Sequence, residues 1–198
     1  MTDPLHIVCP HCHTTNRVRQ ADLGQAPDCG GCHKPLFVAH SLALTEPLFD
    51  RHVSRSQIPL LVDFWAPWCG PCIASMPHTQ QVAATYRDQG VVVLGSCTSD
   101  SRANFEKWVK ANAEKYPDFI FSHDAAERTP DRASRKLYGV SGIPTQFIID
   151  REGKVAAITV GYMAGEVLLD AALAKADIKV DAAILAKAVE DQKKRDSR

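Results

Sequence analysis

The stretch Trp68-Cys69-Gly70-Pro71-Cys72 constrains this chain more than any other, because of what stands on either side of it. Before it runs Ile58-Pro59-Leu60-Leu61-Val62-Asp63-Phe64-Trp65, a short apolar run of the kind that forms a buried strand. After it, residues 73–87 read as a helix. The two thiols therefore sit at a strand-to-helix junction, about one helical turn apart. Unpaired N–H groups and the positive end of the helix dipole favour an anion at such a place, and a thiolate is an anion. A free thiol has a pKa of about 8.5, and Cys-X-X-Cys sites lower it to about 7 or below. Cys69 is the candidate nucleophile and Cys72 the resolving thiol.

With 198 residues the chain can hold one full domain and a small module. Its 23 basic and 23 acidic side chains cancel, which argues against nucleic acid or an anionic membrane as partner. Met1 to His6 contain no basic segment leading into an apolar core, and no run approaches the roughly 18 apolar residues of a membrane span. The expected location is the cytoplasm. Seven cysteines in that compartment point to metal and redox chemistry rather than to a disulfide framework.

Four of them form a second pattern. Cys9-Pro10-His11-Cys12 and Cys29-Gly30-Gly31-Cys32 are separated by 16 residues, the spacing of a structural zinc site. Four thiolates would close a tetrahedral shell around one Zn²⁺ and leave no position for substrate. Residues 1–40 are otherwise poor in apolar side chains, so this segment is expected to need the metal to fold. Two further redox pairs are the alternative. His11, His13 and His33 stand beside the cysteines and are read as bystanders. Arg17, Arg19 and Lys34 face Asp3, Asp22 and Asp28 in number, so the segment carries no basic patch for nucleic acid.

From about Ser41 the pattern alternates strand and helix. Leu42-Ala43-Leu44 suits a short strand and Thr45 a cap for a helix to about Ser54. Val91-Val92-Val93-Leu94-Gly95 reads as a central parallel strand. Phe105, Trp108, Val109 and Tyr116 form one stripe on a helix over 102–115. Residues 119–121 suit a strand, 131–138 a short helix, and 145–149 with 155–160 a β-hairpin. Residues 166–176 read as a closing amphipathic helix, and 180–198 as a solvated helix fraying into a charged tail.

Trp-Cys-Gly-Pro-Cys between strand and helix, with Gly142-Ile143-Pro144-Thr145 opening a later strand, resembles the thioredoxin superfamily over about residues 41–176. The double-knuckle segment running into Val62-Asp63-Phe64-Trp65-Ala66-Pro67-Trp68-Cys69 is similar to the thioredoxin-2 branch. Behind it, 72 positions separate Cys72 from Pro144, more than a minimal thioredoxin has. There the chain resembles the redoxin-type thiol–disulfide reductases of cytochrome maturation, with residues 99–138 as an inserted helix and strand. The expected architecture is α/β: a zinc ribbon over 1–40, a thioredoxin fold with its central mixed sheet flanked by helices over 41–178, and a charged helical tail over 179–198.

The resemblance implies a protein-disulfide reductase recharged by thioredoxin reductase, with no organic cofactor. It implies that Asp63 is a buried carboxylate that takes the proton from Cys72; an acid reaching solvent at the strand end is the alternative. Pro144 would be the cis-proline facing the dithiol, against an ordinary trans turn proline. Trp68, Gly70, Pro71, Ile143 and Gly161 would line the substrate groove, while Trp65 points into the core and Pro77 is structural. Cys97 is either a third redox thiol or a buried bystander. Two rival functions are open: a thiol peroxidase, and a ribbon that binds a protein or senses oxidants by releasing zinc.

Overall fold

The computed structural model describes residues 4–25, 27–37, 41–42 and 46–197. Two short antiparallel strands, β1 (Leu5–Val8) and β2 (Thr15–Val18), lead into about two turns of tighter helix, Gln20–Gln25. The main sheet has six strands: β3 (Ser41–Leu42), β4 (Leu60–Trp65), β5 (Val92–Cys97), β6 (Phe119–His123), β7 (Thr145–Ile149) and β8 (Val155–Val160). Their order across the sheet is β3-β6-β5-β4-β7-β8, parallel from β3 to β4 and antiparallel over β7 and β8. The helices are α1 (Glu46–Arg55), α2 (Gly70–Tyr86), α3 (Arg102–Asn112), α4 (Ala133–Lys136), α5 (Leu168–Leu173) and α6 (Ala182–Asp196). Of the strand expected over 42–44, Leu42 lies in β3, and the rest of it with the cap at Thr45 lies outside the described residues.

Strands β4 to β7 are buried at every position, which explains their near-continuous apolar sequences. Alternation assigns their side chains to two cores. Leu61, Trp65, Val93, Phe119, Phe121 and Ile148 pack with Met76 and Val82 of α2, Phe105 of α3 and Leu173 of α5. Leu60, Val62, Phe64, Val92, Leu94 and Ile120 form the opposite core.

The inserted segment enters the sheet itself: β6 lies between β3 and β5 rather than at an edge. An aromatic cluster locks it there. Trp65 packs on Trp108 at 4.5 Å between ring centroids, and Trp108 stacks on Tyr116 at 6.0 Å. Gly95 makes room, since a Cβ at that position would stand 3.1 Å from Phe119 and 3.3 Å from Phe121. Tyr116, expected on the same helix as Trp108, instead follows the turn that ends α3.

Three expectations change. Helix α2 begins at Gly70 rather than near residue 73, because Cys69 caps it and Pro71 is tolerated in a first turn whose N–H groups have no intrahelical partner. The apolar residues of the N-terminal segment are few, but Ile7, Val18, Leu23 and Leu36 are buried in the same core as Ile58, Leu60 and Val92. Backbone bonds add to the seam, with Gln57 N donating to His6 O at 2.7 Å. Finally, residues 182–196 form a helix that is exposed at most positions, as a solvated helix is, but that docks along one face instead of fraying. Asp191 and Ala188 of α6 are buried, and Lys187 and Arg195 bond to the backbone after β8, because their charges find acceptors there.

A shared core means a shared transition. Leu36→Ala, at a site 1% exposed, is expected to cost about 2–5 kcal/mol and to lower the denaturant midpoint of the whole chain. Far-UV circular dichroism together with the fluorescence of the tryptophans, all beyond residue 60, would report it; an unmoved tryptophan signal would mean that the segment folds by itself.

Candidate active site and cysteine cluster

Strand β4 delivers the chain to the front of the sheet, and a tight turn closed by Cys69 N donating to Ala66 O at 3.0 Å starts α2. Cys69 holds the N-cap position, its sulfur accepting from Cys72 N at 3.2 Å, and it is joined to Cys72 as a disulfide. The two sulfurs are not equivalent. Cys69 retains 4% of its surface and Cys72 none, so an incoming disulfide meets Cys69 first. Gly70 and Pro71 are exposed on the same shoulder.

Opposite the dithiol, the Ile143–Pro144 peptide is cis, and Ile143 O lies 3.7 Å from Cys69 Sγ. Gly161 N donates to Pro144 O at 2.8 Å, with Gly161 at a φ of +72° where a side chain would be strained. Trp68 is 58% exposed and donates from Nε1 to Ser99 O at 3.1 Å, whereas Trp65 is fully buried. Dithiol, cis-proline backbone, Gly161 and Trp68 thus share one face of the molecule. Pro77 lies inside α2, where its missing N–H removes one helical bond.

Asp63 is 1% exposed and projects on the side of β4 that α2 covers, the same side as Leu61 and Trp65. It does not reach solvent. Burial pushes its pKa up to about 7, against the pull of the Gln146 amide, and Oδ1 has no hydrogen-bond partner in this structure. Gln146 is its cross-strand neighbour on β7, fixed by donating to Thr79 Oγ1 at 3.1 Å and accepting from Thr159 Oγ1 at 2.9 Å. Sequence reasoning missed Gln146, although a polar residue in an apolar strand, in phase with the α2-facing positions, was its signal.

Cys97 ends β5 fully buried, and burial together with Asp100 and Asp124 pushes its thiol pKa up, which opposes thiolate chemistry. Two histidines, for which the sequence offers no partner, are paired in the fold: His78 with Asp170 at 2.8 Å, and His123 Nε2 with Asp100 O at 3.0 Å.

The remaining four cysteines converge. The sulfurs of Cys9, Cys12, Cys29 and Cys32 all lie within 4.8 Å of one another, with Cys9 to Cys32 at 3.7 Å and Cys12 to Cys29 at 3.6 Å. A tetrahedral ion with bonds of 2.3 Å to sulfur separates its ligands by about 3.8 Å, so the donor set fits Zn²⁺. Amides of His11 and Gly31 donate to Cys9 and Cys29 at 3.3 Å each, support suited to thiolates. His11, His13 and His33 are outside the cluster.

Comparison with known proteins agrees with this geometry. Residues 40–137 match the family described as Thioredoxin, and residues 8–34 the family described as Thioredoxin 2, N-terminal. Thioredoxin C-3 of Corynebacterium nephridii is 35% identical over 121 residues, covering 61% of this chain and 80% of that protein. The thiol-disulfide oxidoreductase ResA of Geobacillus thermodenitrificans is 33% identical over 109 residues, covering 54% of this chain and 57% of ResA. The chain thus spans little more than half the length of that relative. Among solved structures, a putative thiol:disulfide interchange protein DsbE from Chlorobium tepidum is 34% identical with a TM-score of 0.50, covering 61% of this chain and 81% of that one.

Asp63 has a measurable signature. With its pKa raised, the carboxyl stabilises the fold fully below its unfolded pKa of about 3.9, and that contribution is lost as pH rises to about 7. The oxidised protein is expected to lose up to about 1.4 kcal/mol of stability per pH unit across that window. Asp63→Asn should flatten the slope and be the more stable form at pH 8. Urea unfolding at pH 5 and pH 8 decides; parallel profiles for the two proteins would place the ionised carboxylate in a polar setting.

Proposed function

This chain belongs to the thioredoxin family, and from that premise we propose that it reduces protein disulfides with Cys69 as nucleophile and Cys72 as resolving thiol. One observation carries the reading: the more accessible sulfur of the pair caps a helix N-terminus and faces a cis-proline backbone. The Cys69 thiolate attacks a substrate disulfide, forming a mixed disulfide and releasing one substrate thiolate. Asp63, buried on the α2 side of β4, accepts the Cys72 proton. The Cys72 thiolate then attacks Cys69 Sγ, and the second substrate sulfur leaves and takes up a proton. Two electrons pass to the substrate, and the Cys69–Cys72 disulfide remains.

Direction rests on the residues between the cysteines. Gly70-Pro71 is the thioredoxin choice, and thioredoxin sits near about −270 mV, at the reducing end of the scale. Thioredoxin reductase is the proposed electron donor and the cytoplasm the proposed location; among the described residues no helix is long and apolar enough to cross a membrane. Trp68, Gly70, Pro71, Ile143, Pro144 and Gly161 form the proposed surface for an extended substrate segment. Cys9, Cys12, Cys29 and Cys32 are proposed to hold one structural Zn²⁺, a closed shell that takes no part in the exchange. The proposed units are a ribbon over 1–40, the redox domain over 41–178 and a helical segment over 179–198.

Two measurements bear on this. With NADPH and thioredoxin reductase, the protein should reduce insulin and Cys69→Ser should be at least about a thousandfold slower, as expected when a nucleophile is removed. Activity only with dithiothreitol would mean a different electron donor, and none with either would end the reductase reading. Metal analysis should find one zinc per chain, and Cys29→Ser should lower both the zinc content and the thermal midpoint. A zinc-free wild type with an unchanged midpoint would argue for two further redox pairs.

A further inference from the structure

Segment 160–167, from the end of β8 to α5, carries the glycine that bonds to the cis-proline backbone. Because Gly161 N donates to Pro144 O, the place of this segment fixes the place of the cis-proline backbone. The segment has little internal order: Met163 N donates to Glu166 Oε1 at 3.0 Å, and Glu166 N to Met163 O at 3.2 Å. Helix α6 supplies the rest. Arg195 donates from Nη1 to Val160 O at 2.6 Å, from Nη2 to Gly161 O at 3.3 Å and from Nε to Glu166 Oε2 at 2.8 Å. One turn and two turns earlier on the helix the pattern repeats. Asp191 Oδ2 accepts from Val167 N at 3.2 Å, and Lys187 Nζ donates to Gly165 O at 2.6 Å.

The acids of these ties are out of water, while their cations stay partly solvated, Arg195 at 21% and Lys187 at 45% exposed. The side chains of Glu166 and Asp191 are 6% and 8% exposed, and each has a cation against it. A helix held only by general burial has no need of three charged side chains directed at one stretch of backbone. The fork of Arg195 is also specific: it serves two carbonyls and a carboxylate at once, which a lysine ammonium cannot do in the same geometry.

We propose that α6 is a strut for the polypeptide-binding side of the dithiol, with Arg195 the positioning residue that sets Gly161 and, through it, Pro144. This rests on the reading of the site as one that exchanges with protein disulfides. An extended substrate segment lies along the Pro144 backbone and depends on its placement. A small disulfide needs only the Cys69 sulfur and does not.

The experiment uses the full chain with Cys72→Ser, so that attack by Cys69 stops at the mixed disulfide: a bond forms from Cys69 Sγ to one substrate sulfur, and the other sulfur leaves as a thiolate. Single-turnover rates are measured with oxidised insulin and with 5,5′-dithiobis(2-nitrobenzoate), and amide hydrogen exchange is followed over 160–167. For Arg195→Met, exchange in that segment should rise about tenfold, the loss of one charge-assisted tie. The rate with insulin should fall about five- to tenfold while that with the small disulfide stays within about twofold. Arg195→Lys should recover only part of the insulin rate. Glu166→Gln, which weakens the same clasp from the other side, should give the same selective pattern and guards against a misfolded Arg195 variant. Unchanged exchange, or equal losses with both disulfides, overturns the proposal. Neither readout needs thioredoxin reductase, so failure of the reductase direction would leave this result interpretable.

Discussion

Burial of β4 on both faces is the constraint from which the rest of the site follows. A strand covered on both sides can carry an acid only at a high cost, since desolvation disfavours the charged form. Asp63 is nonetheless there, 1% exposed, in a row that faces α2. The same strand ends at Trp65 and hands the chain to the turn that caps α2 with Cys69. One element therefore positions both the buried carboxyl and the thiol pair. Its burial also pushes the Asp63 pKa up to about 7, the range that the proton transfer proposed above calls for.

Covering β4 takes more than one part of the molecule. On the α2 side the inserted segment contributes Phe105, Trp108 and Tyr116, which close over Trp65. On the opposite side the N-terminal segment contributes Ile7, Leu23 and Leu36 beneath Leu60 and Val62. The cysteine cluster is thus joined to the redox site through the sheet, without any cysteine of one lying in the other. If a metal orders the knuckles, it also holds part of the cover over the strand that carries Asp63.

Much of this was legible in the residues. Strand, thiol pair and helix follow from apolar periodicity and spacing, because both are local. The four-cysteine set follows from its spacing, while the cis-proline and the exposed Trp68 follow from the resemblance to the thioredoxin superfamily. What escaped is what depends on contacts between distant segments. Gln146 stands in Thr145-Gln146-Phe147-Ile148-Ile149, and only strand pairing brings it beside Asp63. The N-terminal apolar residues look too sparse for a core until the sheet supplies the other half. Residues 180–198 carry many charges, a composition that suits a solvated helix. Composition does not tell that the backbone of Val160, Gly165 and Val167 meets the face that Lys187, Asp191 and Arg195 share.

That last point bears on how a thioredoxin fold acquires preference. The dithiol and its buried acid are set by β4 and α2, and little room remains there for variation. The surface around them is assembled from elsewhere: Ser99 beyond β5 steadies Trp68, and α6 steadies Gly161 across the cleft. Both supports come from segments that a minimal fold would not require for exchange itself. On the proposed reading, the chemistry is held by the sheet, while the choice of polypeptide falls to what has been added around its edge.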